Sequence, residues 1–498
     1  MQQLTELDNT FLQMESSRTP MHITPVIFYD QSSAQGGKVR FKDILEVFRA
    51  NLHKSKIFRR KLAGGAMGFD TPYWVEDPDF DLEFHVRHIA LPRPGDWRQL
   101  CILMSRLHAR GLDMSRPLWE AYVIEGLNEV QGLPPHSFAI LLKIHHAAID
   151  GVSGAEIIQA IHSLSVDEAR PPFEDDWHGE ADPSPVAVWS RAYLNNLKRP
   201  MKLFETAREL LPNVMQANRE SSRRDTGNLP PLQNTPFNAK VSSYRVTDTL
   251  VMELDRVKAI RQAVAGATVN DVIVSVVSGA LRKYLLAHDS LPERSLTCGA
   301  PINVRTERNS QSAGNQVGMM TIDMATTVED PLQRLRAVMA NAGDAKQYSS
   351  AVGPAAFLEV SEGLWPQMLN LALHTATLVA RTNDIALPLH TVVSNVPGPQ
   401  VPLYLAGARA HMMMGMGPLL DMAGLFHAVI SYCGTITINF TSCRELLPDP
   451  DFYKECLEQT YAELENAALG KQPKTRAKPK ARRKPRAKAK RKAAAKPA

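Results

Sequence analysis

The sequence predicts an α+β fold with two domains joined by a long connector. The chain has 498 residues, 44% of them hydrophobic, so it can bury large cores and is long enough for two or more domains. Strand-like and helix-like segments interleave throughout, without regular βαβ repeats. A proline-rich connector at residues 166–238 separates a predicted domain at 1–165 from one at 239–470.

In the first half, hydrophobic periodicity predicts strands at residues 24–29, 118–124 and 137–146 and helices at 41–62 and 96–110. Ser153 and Glu156 form a capping-box pattern, which predicts that a further helix begins there. The chain then becomes polar and contains nine prolines between residues 166 and 237, with a helical pattern at 187–211. We therefore expect a partly helical connector.

In the second half, the same criteria predict helices at residues 268–286, 331–348, 355–379 and 451–467 and strands near 296–304, 317–324 and within 408–441. The uncharged run at 422–443 is long enough to span a membrane. However, residues 435–441 alternate between polar and apolar side chains, which is typical of a strand. No transmembrane helix is predicted, and the first residues lack the pattern of a signal peptide.

The terminal segment at residues 471–498 holds 14 lysines and arginines and no acidic residue. The first 470 residues carry 43 basic and 52 acidic side chains, so the net charge of +5 comes from this tail. The tail has no aromatic residue and is predicted to be disordered. It can bind anionic lipid headgroups or, as a less favoured alternative, nucleic acid; a purely solubilising role also stays open.

Two adjacent histidines mark the predicted active site. His145 and His146 end an apolar strand pattern, and Asp150 and Gly151 follow at turn spacing. Because side chains alternate along a strand, we expect the two imidazoles to point to opposite faces. A neutral imidazole can accept a proton near neutral pH, which is the task of a general base.

The histidine pattern alone leaves other interpretations open. A buried histidine pair could be satisfied by backbone carbonyls, or the histidines and Asp150 could bind a metal. Residues 151–155 (GVSGA) also differ by one residue from a hydrolase nucleophile elbow, with Ser153 as nucleophile. Residue 155 is alanine, however, and Ser153 already fits as a helix cap. Adjacent strand histidines diverge and no second ligand cluster is visible, so no metal site is predicted.

The spacing His-His-x-x-x-Asp-Gly resembles the active-site motif of the CoA-dependent acyltransferase superfamily. Other segments resemble one branch of it, the bacterial wax ester synthase/diacylglycerol acyltransferases, and follow that family's order from residue 7 to residue 440. These segments are LDNTF at residues 7–11 with Glu15, TPMH at 19–22, RPLWE at 116–120, NDVI at 270–273, PINVR at 301–305, GNQ at 314–316 and SNVPGP at 394–399.

The resemblance implies two chloramphenicol-acetyltransferase-like domains, each a mixed sheet flanked by helices, with the active site in a tunnel between them. It assigns the general base to His146 and a structural role to His145, with no covalent enzyme intermediate. Asp150 is implied to pair with Arg305 and, with Gly151, to shape the turn after the histidines. Four further residues are implied to support the site, namely Asn270, Asp271, Ser394 and Asn395. Trp119 in the RPLWE segment is expected to pack beneath the site.

The expected activity is transfer of a long-chain acyl group from acyl-CoA to a fatty alcohol or diacylglycerol, with acyl-CoA as a substrate and no cofactor. Five scattered cysteines without CxxC spacing favour a reducing cytoplasm. Peripheral contact with the inner membrane surface or lipid inclusions is expected, with the tail at 471–498 as anchor. Two alternatives remain: a condensation-type enzyme using carrier-bound donors, and a non-catalytic lipid-granule or nucleic-acid-binding protein.

Overall fold

The computed structural model describes most of the chain. The described residues are 2–64, 70–149, 153–166, 177–197, 200–201, 208, 233–303, 317–352, 375 and 389–470. The predicted disordered tail, most of the connector and, apart from residue 375, the predicted helices at 355–379 lie outside them.

The strands, numbered in chain order, are β1 Gln2–Gln3, β2 His22–Asp30, β3 Arg60–Ala63, β4 Tyr73–Glu76, β5 Val86–Ala90, β6 Trp119–Glu125, β7 Phe138–His145, β8 Arg245–Glu253, β9 Thr297–Asn303, β10 Val317–Asp323, β11 Thr391–Pro397, β12 Tyr404–Leu405, β13 Ala408–Met416, β14 Leu425–Tyr432 and β15 Thr435–Cys443. The helices are α1 Glu6–Met14, α2 Phe41–Asn51, α3 Leu82–His85, α4 Trp97–His108, α5 Ser153–Ile161, α6 Leu254–Ala263, α7 Val269–Ala287, α8 Pro331–Val352 and α9 Pro450–Leu469. A helix at residues 185–197 lies in the connector.

Two six-stranded mixed sheets form the framework. The first has the order β12-β13-β2-β7-β6-β5 and the second the order β10-β9-β11-β14-β15-β8, while β1, β4 and β3 form a small third sheet. The pairs β5/β6, β9/β11 and β11/β14 are parallel, and antiparallel pairs make up the rest. The predicted α+β class with mixed sheets is confirmed.

A strand from the second half of the chain completes the first sheet. β13 pairs with β2 from Arg409↔Asp30 to Met416↔Thr24, and it also packs on the second sheet. There the Thr437 hydroxyl donates to the Met413 carbonyl at 3.1 Å. The sequence did not predict this exchange, which ties the two halves together, and the boundaries 1–165 and 239–470 stay a prediction.

The central strand β7 is buried on both faces because helices cover each side of its sheet. Ile140, Leu142 and Ile144 pack in one core with residues of α2 and α5, whereas Ala139 and Leu141 pack in another with residues of α4. A strand covered on both faces reads as a nearly continuous apolar run, as residues 138–144 do apart from Lys143.

The second sheet packs against α7, α8 and α9. The predicted start of α7 is confirmed by a reciprocal capping box, in which the Thr268 side chain accepts from the Asp271 N–H and the Asp271 carboxylate accepts from the Thr268 N–H. His427 lies buried in this core, between the Tyr453 hydroxyl at 2.7 Å and the Thr391 hydroxyl at 3.0 Å.

Two further predictions can be compared with the structure. The helix predicted at 41–62 is wrong beyond Asn51, because α2 ends there and is followed by short 3-10 turns and then by β3, which pairs with β4. The uncharged run at 422–443 forms β14 and β15, joined by a tight turn in which Cys433 and Gly434 both have positive φ. Within the described part of the chain, no helix combines the length and the apolar character needed to cross a bilayer.

Trp119 lies at the centre of the first core and generates a stability prediction. Its ring stacks on Phe48 and its indole N–H donates to the Phe58 carbonyl at 3.0 Å. We expect Trp119→Ala to lower the free energy of unfolding by about 3–5 kcal/mol, because it opens a large cavity. Trp119→Phe should cost less, about 1–3 kcal/mol, mainly by leaving the buried Phe58 carbonyl without its donor.

Equilibrium denaturation of both variants measures these losses. The matched control is Trp189→Ala, which changes an exposed tryptophan of the helix at residues 185–197. The expected change in the free energy of unfolding is within about 0.5 kcal/mol. Equal losses for Trp119→Ala and Trp189→Ala would contradict the assignment of Trp119 to the core.

Candidate active site

The two histidines are held by the strands on either side of β7. The backbone N–H of His145 donates to the Leu118 carbonyl at 3.0 Å, and that of His146 donates to the Met21 carbonyl at 2.8 Å. Leu118 and Met21 belong to the RPLWE and TPMH segments. These two distant segments therefore meet at the histidines and fix the backbone there.

Both ring nitrogens of His145 are engaged within the protein. Its Nδ1 accepts from the backbone N–H of Ala147 at 3.1 Å, so Nε2 carries the proton and donates to the Glu15 carboxylate at 2.5 Å. The His145 side chain is completely buried and that of Glu15 largely so. This arrangement fixes one tautomer of His145 and leaves neither nitrogen for a substrate.

His146 is half-buried and begins a 3-10 turn at His146–Ala148. Its ring stacks on Phe11 of α1, with a centroid distance of 3.9 Å and an interplanar angle of 19°. Burial, with a smaller contribution from neighbouring His145, lowers the pKa of His146 to about 4. His146 is therefore neutral near pH 7, which is the state that a general base requires.

The expectation that the two imidazoles point to opposite faces of a strand is wrong. β7 ends at His145, so the strand alternation does not extend to His146. Both rings contact the segment around α1, one through Glu15 and the other through Phe11, four residues apart. Sequence reasoning quoted both residues within a family segment but gave neither of them a role.

A buried polar network lies beside the histidines on the same strand. Lys143, two residues before His145, is completely buried, and its ammonium group donates to the Arg110 carbonyl at 2.7 Å and lies 3.4 Å from the Glu120 carboxylate. Tyr122 donates to the same carboxylate at 2.6 Å. A buried charge is tolerated only when it is paired and hydrogen-bonded, and this lysine meets both conditions. A lysine within the apolar strand pattern was the sequence signal for this network, which was not predicted.

A second polar chain joins β2 to the segment after β13. The His22 Nε2 lies 2.8 Å from the His108 carbonyl, and the His108 Nε2 lies 3.0 Å from the Gly417 carbonyl. His22 is paired with His145 across the two strands. Burial lowers the pKa of His108 to about 3, so this histidine stays neutral in the folded protein. The chain connects the C-terminal end of α4 to the second half of the molecule.

The predicted residues after the histidines cannot be placed. Asp150, Gly151 and Arg305 lie outside the described residues, so the Asp150–Arg305 pair stays a prediction. The Asp271 carboxylate is used in the cap of α7. Asn270 is partly exposed in the first turn of that helix, and among the described side chains it makes no hydrogen bond with either histidine.

Ser394 and Asn395 lie on β11 where that strand leaves one of its neighbours. β11 pairs with β14 from Val392 to Pro397 but with β9 only at Thr391 and Val392. Beyond Val392, the edge that faced β9 has no strand partner among the described residues, and the Asn395 side chain is exposed.

The glycine of the SNVPGP segment has a steric explanation. A Cβ atom at Gly398 would lie 2.3 Å from the Ser431 carbonyl oxygen, closer than real contacts allow. Only glycine permits this approach of the chain to β14. This part of the motif is therefore explained by packing.

A large cleft lies between the two halves and has a volume of about 2790 Å³. It is lined by residues of α4, β8, β13 and the first half of α9. Neither histidine is among its lining residues, so the predicted tunnel at the histidines stays a prediction.

Comparison with protein families agrees with the motif order. Residues 4–273 match the wax ester synthase/diacylglycerol acyltransferase catalytic domain, and residues 313–465 match the C-terminal domain of the same family. A putative diacylglycerol O-acyltransferase of Mycobacterium tuberculosis is 32% identical over 472 residues, covering 92% of this chain and 90% of that protein. Another, from Mycobacterium bovis, is 34% identical over 479 residues, covering 94% of this chain and all of its own.

Solved structures show the same fold. A wax ester synthase/diacylglycerol acyltransferase from Marinobacter aquaeolei VT8 superposes with a TM-score of 0.63 and 27% identity, covering 94% of this chain and 100% of that one. The first condensation domain of the calcium-dependent antibiotic synthetase gives a TM-score of 0.56 at 13% identity, with 94% and 96% of the chains covered. The second likeness concerns the fold alone.

The contact between Glu15 and His145 generates a prediction about stability. We expect Glu15→Ala to lower the free energy of unfolding by about 1–3 kcal/mol, because it leaves the buried N–H of His145 without an acceptor. Glu15→Gln keeps an acceptor oxygen at the same chain length and should lose less. Equilibrium denaturation measures both changes. Glu46→Ala removes an exposed carboxylate that pairs with Arg49, and it should change stability by less than about 1 kcal/mol. Equal effects of Glu15→Ala and Glu46→Ala would show that the contact does not hold the histidine turn.

Proposed function

This chain belongs to the wax ester synthase/diacylglycerol acyltransferase family, and we propose that it transfers a long-chain acyl group from acyl-CoA to the hydroxyl of a fatty alcohol or diacylglycerol. The products would be wax esters or triacylglycerol. The observation that carries this proposal is the pair of histidines, with His145 fixed by Glu15 and His146 neutral and half-buried beside it.

One histidine suffices for both proton transfers of the proposed reaction. His146 accepts the hydroxyl proton as the alcohol oxygen bonds to the thioester carbonyl carbon. The tetrahedral intermediate then collapses, the carbon–sulfur bond breaks, and the imidazolium returns the proton to the departing CoA thiolate. The acyl group passes directly to the acceptor, so no bond to the enzyme forms, and no cofactor takes part.

The tetrahedral intermediate carries an oxyanion, which needs hydrogen-bond donors. We assign this role to the Ser394–Asn395 stretch of β11, since its edge beyond Val392 lacks a strand partner among the described residues. Donors of this kind typically contribute about 3–4 kcal/mol to stabilising the transition state. Asp150, through Arg305, would hold the turn that follows the histidines, and Asn270 would border the site from α7.

The apolar substrates and products suggest where the enzyme works. We propose cytoplasmic location with peripheral contact to the inner membrane surface or lipid inclusions. The basic tail at 471–498 supports this, since each lysine or arginine near an anionic surface contributes about 1 kcal/mol. Nucleic acid is the less favoured partner of the tail. Carrier-bound thioesters remain the alternative source of the acyl group.

Thiol release from palmitoyl-CoA tests the proposed reaction. Purified protein should release CoA when hexadecanol or diacylglycerol is added, and His146→Ala should lose at least about a hundredfold in rate, the usual contribution of a positioned general base. Ser153→Ala is the matched control and should keep the activity. Release that needs no acceptor and vanishes only in Ser153→Ala would instead indicate a hydrolase. The absence of release with any acceptor would exclude long-chain acyl-CoA as donor and redirect the test to carrier-bound thioesters.

The lowered pKa of His146 gives a pH prediction. The base is active when neutral, so kcat/KM should stay constant on acidification down to about pH 5 and fall with an apparent pKa near 4, not near the usual value of about 6.5. Phe11→Ala removes the stacked ring, relieves the burial and should move this acid limb to higher pH. Phe11→Leu keeps an apolar cover and serves as control. An acid limb at the same pH in wild type and Phe11→Ala would contradict burial as the cause.

Stability must be followed in parallel because several histidines are buried in their neutral form. The pKa values of His108 and His427 are lowered to about 3, again by burial. Below about pH 6.5 these histidines become protonated in the unfolded chain but stay neutral in the folded protein. Their contribution to stability is therefore full above that pH and is lost progressively as the pH falls towards the folded pKa values. Short assays at each pH, with folding checked by circular dichroism, separate this loss from titration of the base.

A further inference from the structure

The helix at residues 185–197 is attached to the protein by one face. Val188 and Ala192 are buried against Tyr73 of β4. The Asn195 side-chain amide donates to the Gln3 side chain at 3.1 Å and to the Asp70 carboxylate at 2.8 Å. We call this element the connector helix.

The opposite face of the connector helix is apolar and exposed. Its apolar members are Val186, Tyr193, Leu194 and Leu197, which we call the outer face, and their exposed fractions run from 56% for Leu194 to 79% for Val186. Ser190 is exposed among them. At 100° per residue these positions fall on one side of the helix, and Val188, Ala192 and Asn195 fall on the other. Trp189 lies at the edge of the outer face and is 48% exposed.

The exposed apolar side chains depart from what a helix in a soluble protein normally shows. Such a helix buries its apolar stripe and turns polar side chains to water. Here polar Asn195 is bound to the protein, while two leucines and a tyrosine face outward. Contiguous exposed apolar patches mark interaction surfaces.

Charge distinguishes between the partners that could cover the outer face. Residues 183–204 contain no acidic residue and four basic ones, which are Arg191, Lys198, Arg199 and Lys202. Two copies of the chain meeting through this segment would bring like charges together. An anionic lipid surface would attract the same segment, and tyrosine and tryptophan favour the boundary between headgroups and acyl chains.

The connector helix also contacts β1, the strand that precedes α1. Asn195 is bound to Gln3 of β1, and α1 begins three residues later at Glu6. α1 carries Phe11, which stacks on His146. A membrane bound to the outer face would therefore contact the helix that is hydrogen-bonded to β1. The chain continues from β1 into α1, which carries Phe11.

We propose that the outer face of the connector helix docks on an anionic phospholipid membrane, with Tyr193, Leu194 and Leu197 inserted at the level of the headgroups. This site is separate from the basic tail and acts through apolar burial as well as charge. It deepens the proposed function by naming the surface that contacts the membrane, but the docking itself does not depend on acyl transfer.

Vesicle co-sedimentation of the full chain tests the proposal. The vesicles contain phosphatidylcholine and phosphatidylglycerol, and binding is measured at low salt and at about 1 M NaCl, where the screening length of about 3 Å removes most attraction by the tail. The test variant combines Tyr193→Asp with Leu197→Asp, and a milder variant combines Tyr193→Ser with Leu197→Ser. Leu286→Asp, which changes a leucine that is 50% exposed at the end of α7, is the matched control.

We expect wild type and Leu286→Asp to stay bound at high salt and the aspartate variant to bind at least about tenfold more weakly, with the serine variant in between. Circular dichroism and thermal unfolding establish that each variant is folded. Undiminished binding of both folded variants at high salt would overturn the proposal. So would a change of oligomeric state in sedimentation velocity without a change in vesicle binding, since the face would then join copies of the chain.

Thiol release without vesicles separates this inference from the proposed function. The folded variants should retain wild-type release with a dispersed acceptor, because none of the changed residues belongs to the histidine site. If wild type binds vesicles through the outer face but releases no thiol, the proposed reaction fails and the docking surface stands. If thiol release is normal and binding is insensitive to the variants, only the docking proposal fails.

Discussion

The position of the catalytic candidate depends on a single strand, β7, which is buried on both faces and paired along both edges. Burial fixes the strand within its sheet, and hydrogen bonds from the His145 and His146 backbone to Leu118 and Met21 fix its end. The side chains are then held from outside the sheet by Glu15 and Phe11. His146 can leave the regular strand at this point because the residues before and after it are fixed by other contacts.

The strand exchange explains how the second half of the chain is oriented towards the histidines. β7 pairs with β2, and β2 pairs with β13, which is contributed by the second half. β13 also packs on β14 and β15, and β14 is the parallel neighbour of β11, which carries Ser394 and Asn395. A continuous series of paired or packed strands thus runs from the proposed base to the proposed oxyanion donors. Rigid strands hold such groups more accurately than loops do, which acyl transfer requires.

Much of this architecture follows from local sequence patterns, and the parts that do not are long-range contacts. Periodicity predicted β7, α4, α7 and α9 because each of them buries a regular set of apolar side chains. It failed at residues 52–62, where helix-like spacing continues past Asn51 but the backbone forms 3-10 turns and then, from Arg60, pairs with β4. It also gave no sign that β13 joins the first sheet. Glu15 and His145 are 130 residues apart, and only the fold reveals that they touch.

The Glu15 carboxylate bonds to the histidine that is not the proposed base, and this affects the proton transfers of the proposed reaction. In a triad, a carboxylate pairs with the catalytic histidine and favours its protonated form. Here the Glu15 carboxylate bonds to His145 and not to His146, and burial is the main cause of the lowered pKa of His146. A base with a pKa of about 4 is neutral at pH 7 and can accept a proton, but its affinity for the hydroxyl proton is low. Its conjugate acid is correspondingly strong and protonates a thiolate, with a reference pKa of about 8.5, very favourably.

In the proposed reaction, the site would therefore resist the first proton transfer and assist the second. The barrier would then lie in forming the tetrahedral intermediate, which is the step that oxyanion donors from β11 would stabilise.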